Sequence, residues 1–182
     1  MASIKGVTIK SVKTAMGMEG PFTQGNIYID GKKAGFWSQD GHGGPDCFDF
    51  DESELTKRAK AYLKEHPDVD SMQLLNKSVD EVDFNNLPLY TKDFIEPESI
   101  FLAKILDLSE IEKVYKKWNK DGHYVVGYLS YIHGGWPIPK NDGSIFGRTN
   151  RKDLMAEYEN IHSQYPYATF KVYESPEDFV ID

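Results

Sequence analysis

Apolar and polar residues alternate along residues 3–13, Ser-Ile-Lys-Gly-Val-Thr-Ile-Lys-Ser-Val-Lys, and that period of two predicts a half-buried strand. Residues 14–25 are rich in glycine and read as a loop. Residues 26–29 and 33–38 flank Asp30-Gly31, a strong signal for a tight hairpin turn. The run Asp40-Gly-His-Gly-Gly-Pro45 breaks any regular element. Asp51-x-x-Glu54 before Leu55 has the spacing of a capping box. Leu55, Ala59, Tyr62 and Leu63 then fall on one helical face, and His66-Pro67 ends it. Residues 69–75 suggest a short strand, and residues 76–95 are polar with weak periodicity.

Glu96-Pro97-Glu98 suits a helix start, with proline early and acids in the first turn. Phe101, Ile105, Leu108, Ile111, Tyr115 and Trp118 follow at helical spacing. Ser109-x-x-Glu112 offers a second capping box, so the pattern fits two helices, 97–107 and 110–120, or one continuous helix. Residues 124–132 read as a strand and residues 134–149 as a long loop. Asn150 caps a helix to Gln164, with Leu154, Tyr158, Ile161 and Tyr165 on one face; residues 168–173 read as the last strand. Strands adjacent in sequence predict an α+β fold, a mostly antiparallel sheet with about four helices. The chain, residues 1–182, reads as a single domain or as two lobes, 1–95 and 96–182.

The two halves echo each other at an offset of 91 residues. Asp30-Gly31 matches Asp121-Gly122, and His42-Gly43-Gly44 matches His133-Gly134-Gly135. A pseudo-duplicated strand, His-Gly-Gly loop, helix and strand is one explanation. Coincidence between common turn residues is the other.

Charge changes the picture more than composition does. The chain carries 21 basic and 29 acidic residues, a net of −8. Residues 1–39 are net +3, residues 40–98 net −9 and residues 99–182 net −2. Only Arg58, Arg148 and Arg151 supply guanidinium groups, which disfavours direct nucleic-acid binding through a broad surface. A basic protein partner is electrostatically easier. The lone Cys47 excludes an internal disulfide, the first residues lack a signal-peptide core, and no apolar run approaches a membrane span. A cytoplasmic location, with no membrane partner, is the expectation.

Candidate chemistry is sparse. The glycine-rich loops lack phosphate-binding spacing, and no Gly-x-Ser-x-Gly nucleophile elbow exists. Asp46, Asp49 and Asp51 offer hard oxygens, but Glu54 stands where a calcium loop needs glycine and Lys60 where it needs glutamate. Residues 40–54 hold six acids and no base, a poor setting for a Cys47 thiolate, so an inert or buried thiol is expected. No cofactor, metal or catalytic residue is assigned. A small hydrolase or metal-dependent enzyme centred on His42, His133 and nearby acids is the alternative. Phe48 and Phe50 alternate with Asp46, Asp49 and Asp51, which in an extended segment puts rings on one face and carboxylates on the other. With Glu52, Glu54, Asp80, Glu81 and Asp83, these residues form the candidate partner-binding set.

The stretch Gly25-Asn-Ile-Tyr-Ile-Asp-Gly-Lys-Lys-Ala-Gly-Phe-Trp-Ser-Gln-Asp-Gly-His-Gly-Gly-Pro45 resembles the start of small proteins carried by phages and mobile elements of Gram-positive bacteria. Size, acidity, the excess of lysine over arginine and the missing catalytic motif resemble type II-A anti-CRISPR proteins. That resemblance implies a non-enzymatic inhibitor that occupies Cas9 or the Cas9–guide RNA complex. Such inhibitors share no common site, so it carries over no residue roles.

Overall fold

The computed structural model describes residues 1–17, 20–41, 45–67, 79–83, 85–86, 96–121, 124–128, 145–148, 155–156, 159–160, 163 and 170–182. The fold is α+β. The chain divides into two compact units. One comprises Met1–His66, Thr91–Leu106 and Val180–Asp182; the other comprises Pro67–Tyr90 and Asp107–Phe179.

The first unit is built on a mixed six-stranded sheet. Its strands are β1 (Ser3–Ile4), β2 (Val7–Met16), β3 (Pro21–Ile29), β4 (Lys32–Gln39), β5 (Cys47–Phe48) and β9 (Val180–Ile181), in the order β5-β4-β3-β2-β1-β9. All neighbours are antiparallel except β1 and β9, which are parallel. The single strand expected over 3–13 is therefore two strands. Ile4 and Val7 face each other across a turn in which Lys5 and Gly6 both have positive φ, 47° and 71°. Both residues are fully buried, and their odd spacing breaks the period of two. The Asp30-Gly31 hairpin forms as its sequence demands, with φ of 48° and 77° at the two central residues. The segment expected to be a loop over 14–25 instead takes part in half of the β2–β3 ladder, with Thr14 opposite Thr23 and Met16 opposite Pro21.

Two helices contribute to this unit's core. Helix α1 (Ser53–Glu65) buries Leu55, Ala59 and Tyr62. Helix α2 (Pro97–Trp118) is one continuous helix, so Ser109 is interior and starts nothing. Ile100, Phe101, Leu102 and Ile105 of α2 are buried, as are Ile4, Val7, Ile9, Ile27 and Trp37 of the sheet. The Tyr62 and Phe101 rings lie 5.6 Å apart.

The second unit holds a three-stranded antiparallel sheet with β6 (Tyr124–Tyr128) between β7 (Ile145–Arg148) and β8 (Phe170–Tyr173). Strand β7 lies inside the stretch expected to be a loop. Its four residues are too few to display a period among the surrounding glycines and prolines, yet they pair fully with residues 124–127. Tyr173 stacks on Phe179 at 4.8 Å, and Tyr115 of α2 lies 5.1 Å from Phe179. The Tyr115 hydroxyl donates to the Glu174 carbonyl at 3.0 Å. Residues 155–156, 159–160 and 163 are helical. Both His-Gly-Gly loops, and the strand expected over 69–75, lie outside the described residues. Among the described residues, no helix is long and apolar enough to cross a membrane.

Candidate functional site

The candidate acids begin at the β4 margin of the sheet. Strand β5 pairs with β4 through Trp37–Phe48 and Ser38–Cys47. Alternation sends Phe48 inward, half-buried, and leaves Cys47 exposed, so of the two alternatives expected for this thiol, buried or inert, the buried one is corrected. After β5 the chain stays beside β4 for one more residue. The Asp49 amide donates to the Phe36 carbonyl at 3.1 Å, and the Asp49 carboxylate accepts the Phe36 amide. Phe50 then folds against Gly35, where an added Cβ would stand 2.5 Å from the Phe50 ring. The Phe48 and Phe50 rings meet edge to face at 5.6 Å.

Asp46, two residues before Phe48, lies on that ring's side, beside Trp37, and not with Asp49 and Asp51. It is half-buried, and its Oδ2 is sealed from solvent with no hydrogen-bond partner, as is Nε1 of the buried Trp37. Burial pushes the Asp46 carboxyl above its ordinary value, opposed by the adjoining Trp37 and Ser99 side chains and reinforced by the charge of Glu98. Asp46 is thus an interior group beside the start of α2. It is not part of an exposed carboxylate row.

The next three acids surround the start of α1. The expected capping box is not formed. The Asp51 carboxylate accepts the Ser53 amide at 3.0 Å, which holds that carboxyl below its ordinary value. Glu52 occupies the cap position through its backbone, whose carbonyl accepts the Thr56 amide at 2.8 Å. Glu54 turns along the helix to Arg58, with Oε1 2.9 Å from Nε, instead of reaching back to the cap. Asp49, Asp51, Glu52 and Glu54 are all exposed. Three of the four carboxylates are therefore fixed at the surface by named hydrogen bonds.

Arg58 organises this margin. Its guanidinium donates to both Asp30 oxygens, at 2.9 and 2.7 Å, to the Lys5 carbonyl at 2.7 Å, and to Glu54. It ties the β1–β2 turn, the β3–β4 turn and α1 together. The Glu54–Arg58 pair was readable from its i,i+4 spacing. The Asp30 and Lys5 contacts were not, being 28 and 53 residues away.

Asp80 and Glu81 lie exposed in a short 3-10 helix, Val79–Glu81. Asp83, also exposed, accepts the Asn85 amide at 3.0 Å. These three belong to the second unit, whereas residues 46–54 belong to the first. Among the described residues, no group of three or more His, Cys, Asp or Glu side chains could hold a metal ion. His42 and His133, the centre of the enzyme alternative, lie outside the described residues. No family model, curated protein or solved structure matches the chain.

Proposed function

We propose that the chain is a non-enzymatic inhibitor, from a phage or mobile element, of a basic nucleic-acid-binding protein in the bacterial cytoplasm. Cas9, alone or with its guide RNA, is the partner that the resemblance implies. The observation that carries the reading is the exposed row Asp49, Asp51, Glu52 and Glu54, in which three carboxylates are held by the Phe36 amide, the Ser53 amide and Arg58. Charges already ordered lose little freedom on binding. They also match a surface built for phosphates, which carries lysine and arginine. Half-buried Phe48 and Phe50 border the row and supply apolar contact area at its edge. Asp80, Glu81 and Asp83 are a separate exposed acidic group in the second unit. Asp46 contributes through packing.

The test is calorimetric titration of the protein into purified Cas9–guide RNA. The comparison is a variant carrying Asp49→Asn, Asp51→Asn, Glu52→Gln and Glu54→Gln, with circular dichroism confirming its fold. Wild-type affinity should fall between about 50 and about 200 mM salt. The variant should bind at least roughly ten-fold more weakly, about 1.4 kcal/mol. Equal affinity of the two proteins removes the acidic row from the interface. Absence of binding to any type II-A effector removes Cas9 as the partner.

A further inference from the structure

The opposite margin of the six-stranded sheet is open. Strand β1 is only two residues long and covers β2 through the single pair Ile4–Val7. Strand β2 runs on to Met16, with its other edge on β3. Among the described residues, no strand lies along the outer edge of β2 beyond Val7. Residues 11–16 are exposed, Val12 at 36% and Met16 at 80%. Ser11 has a φ of 55°, and the ladder shifts register between Lys10 and Lys13. Beyond that bulge, residues 13–16 pair regularly with residues 21–24. A regular strand leaves alternate N–H and C=O groups of its free edge to water, and such an edge accepts another strand.

The charges identify the occupant. Lys10 and Lys13 are the only charged residues of β2, β3 carries none, and β4 carries Lys32 and Lys33. The hairpin carboxylate, Asp30, is engaged by Arg58. The acids Asp49, Asp51, Glu52 and Glu54 follow β5, which lies at the far end of the strand order. Lys10 sits 4.1 Å over the Tyr28 ring, which holds one cation on this margin. A second copy paired antiparallel over residues 12–16 sets Lys13 opposite Ala15 and brings no carboxylate to it. An acidic strand meets the opposite sign, and apolar residues at alternate positions meet Val12 and Met16.

We propose that the outer edge of β2, at residues 12–16, is a strand-addition site for an extended, acidic, alternately apolar segment of another protein. Five residues span about 17 Å, enough for a short peptide to form several ladder hydrogen bonds. This site is separate from the acidic row and does not depend on it.

The probes are fluorescein-labelled octapeptides of alternating Glu-Val and alternating Lys-Val, titrated into the full chain by anisotropy, with hydrogen exchange followed at residues 11–17. The Glu-Val peptide should bind and slow exchange at residues 12–16. A Lys13→Glu variant should weaken it several-fold, because the one charged cross-strand pair within residues 12–16 changes sign. A Glu-Val peptide N-methylated at alternate residues lacks ladder donors and should lose binding, a test that leaves the protein unaltered. Neutralising the acidic row should leave the peptide affinity unchanged. The proposal is overturned by equal binding of the Lys-Val peptide, by unprotected amides at 12–16, or by full binding of the N-methylated peptide. It is also overturned if those amides become protected with rising protein concentration alone, since the occupant is then a second copy.

Discussion

Replacing Arg58 with alanine removes the centre of the clamp beside the acidic row. The Arg58 side chain is 20% exposed, so most of its stem is buried. Loss of that packing costs about 1 kcal/mol. The half-buried bond to the Lys5 carbonyl is charge-assisted, and its removal costs a further 1–2 kcal/mol or so. The contacts to Asp30 and Glu54 face solvent and add little. The total is about 2–3 kcal/mol. For a chain of this length that lowers the melting temperature by about 4–12 °C. Arg58→Lys keeps the charge but loses the bidentate fork, and should fall between wild type and alanine. Urea unfolding of the three proteins, followed by circular dichroism, measures this directly. A cost below about 0.5 kcal/mol for Arg58→Ala would show that the clamp is incidental. Glu54 would then be an unrestrained surface charge.

Other expectations follow from the same contacts. Phe101→Ala should cost about 3–5 kcal/mol in thermal or chemical unfolding, since the ring is fully buried against Tyr62. Gly35→Ala should displace the Phe50 ring and cost about 1–3 kcal/mol; it should also weaken partner binding, because Asp49 and Asp51 flank that ring. Asp30, Asp51 and Glu65 are held below their ordinary values by Arg58, the Ser53 amide and Lys5 respectively. A lowered folded-state value adds stability above the unfolded value, near pH 4, which is lost as pH falls through the folded value. Stability should therefore decline into acid, and Arg58→Ala should flatten part of that decline. Asp46 has the opposite sign. Its raised value favours the fold at low pH and penalises it as pH rises, so Asp46→Asn should gain stability relative to wild type between about pH 4 and 7. An unchanged difference across that range would contradict the assignment.

The elements with a strong local signal were legible in the residues. Asp30-Gly31 announces its turn, and the apolar spacing from Phe101 to Tyr115 announces α2. The break at Lys5-Gly6 was marked only by the three-residue spacing of Ile4 and Val7 around a glycine, a weaker signal than the alternation on either side. The bulge at Ser11 was invisible because serine carries no preference for positive φ. Strand β7 depends on the partner residues 124–127 and has little local pattern. The acids of the candidate row were legible as charge but not as structure. Nothing in Asp49 reveals that its carboxylate takes the Phe36 amide, whereas the inward turn of Asp46 follows from its two-residue spacing to Phe48. Alternation and tertiary contacts thus divide a run of similar acids into surface and interior groups.

The most direct measurement of the proposed function is occupancy of target DNA on Cas9–guide RNA in the presence of this protein, read by filter binding at fixed salt. Occupancy should fall as wild-type protein is added, while the variant neutralised at Asp49, Asp51, Glu52 and Glu54 should leave it nearly unchanged. Equal displacement by both proteins, or full DNA occupancy in a complex saturated with wild-type protein, would contradict the account.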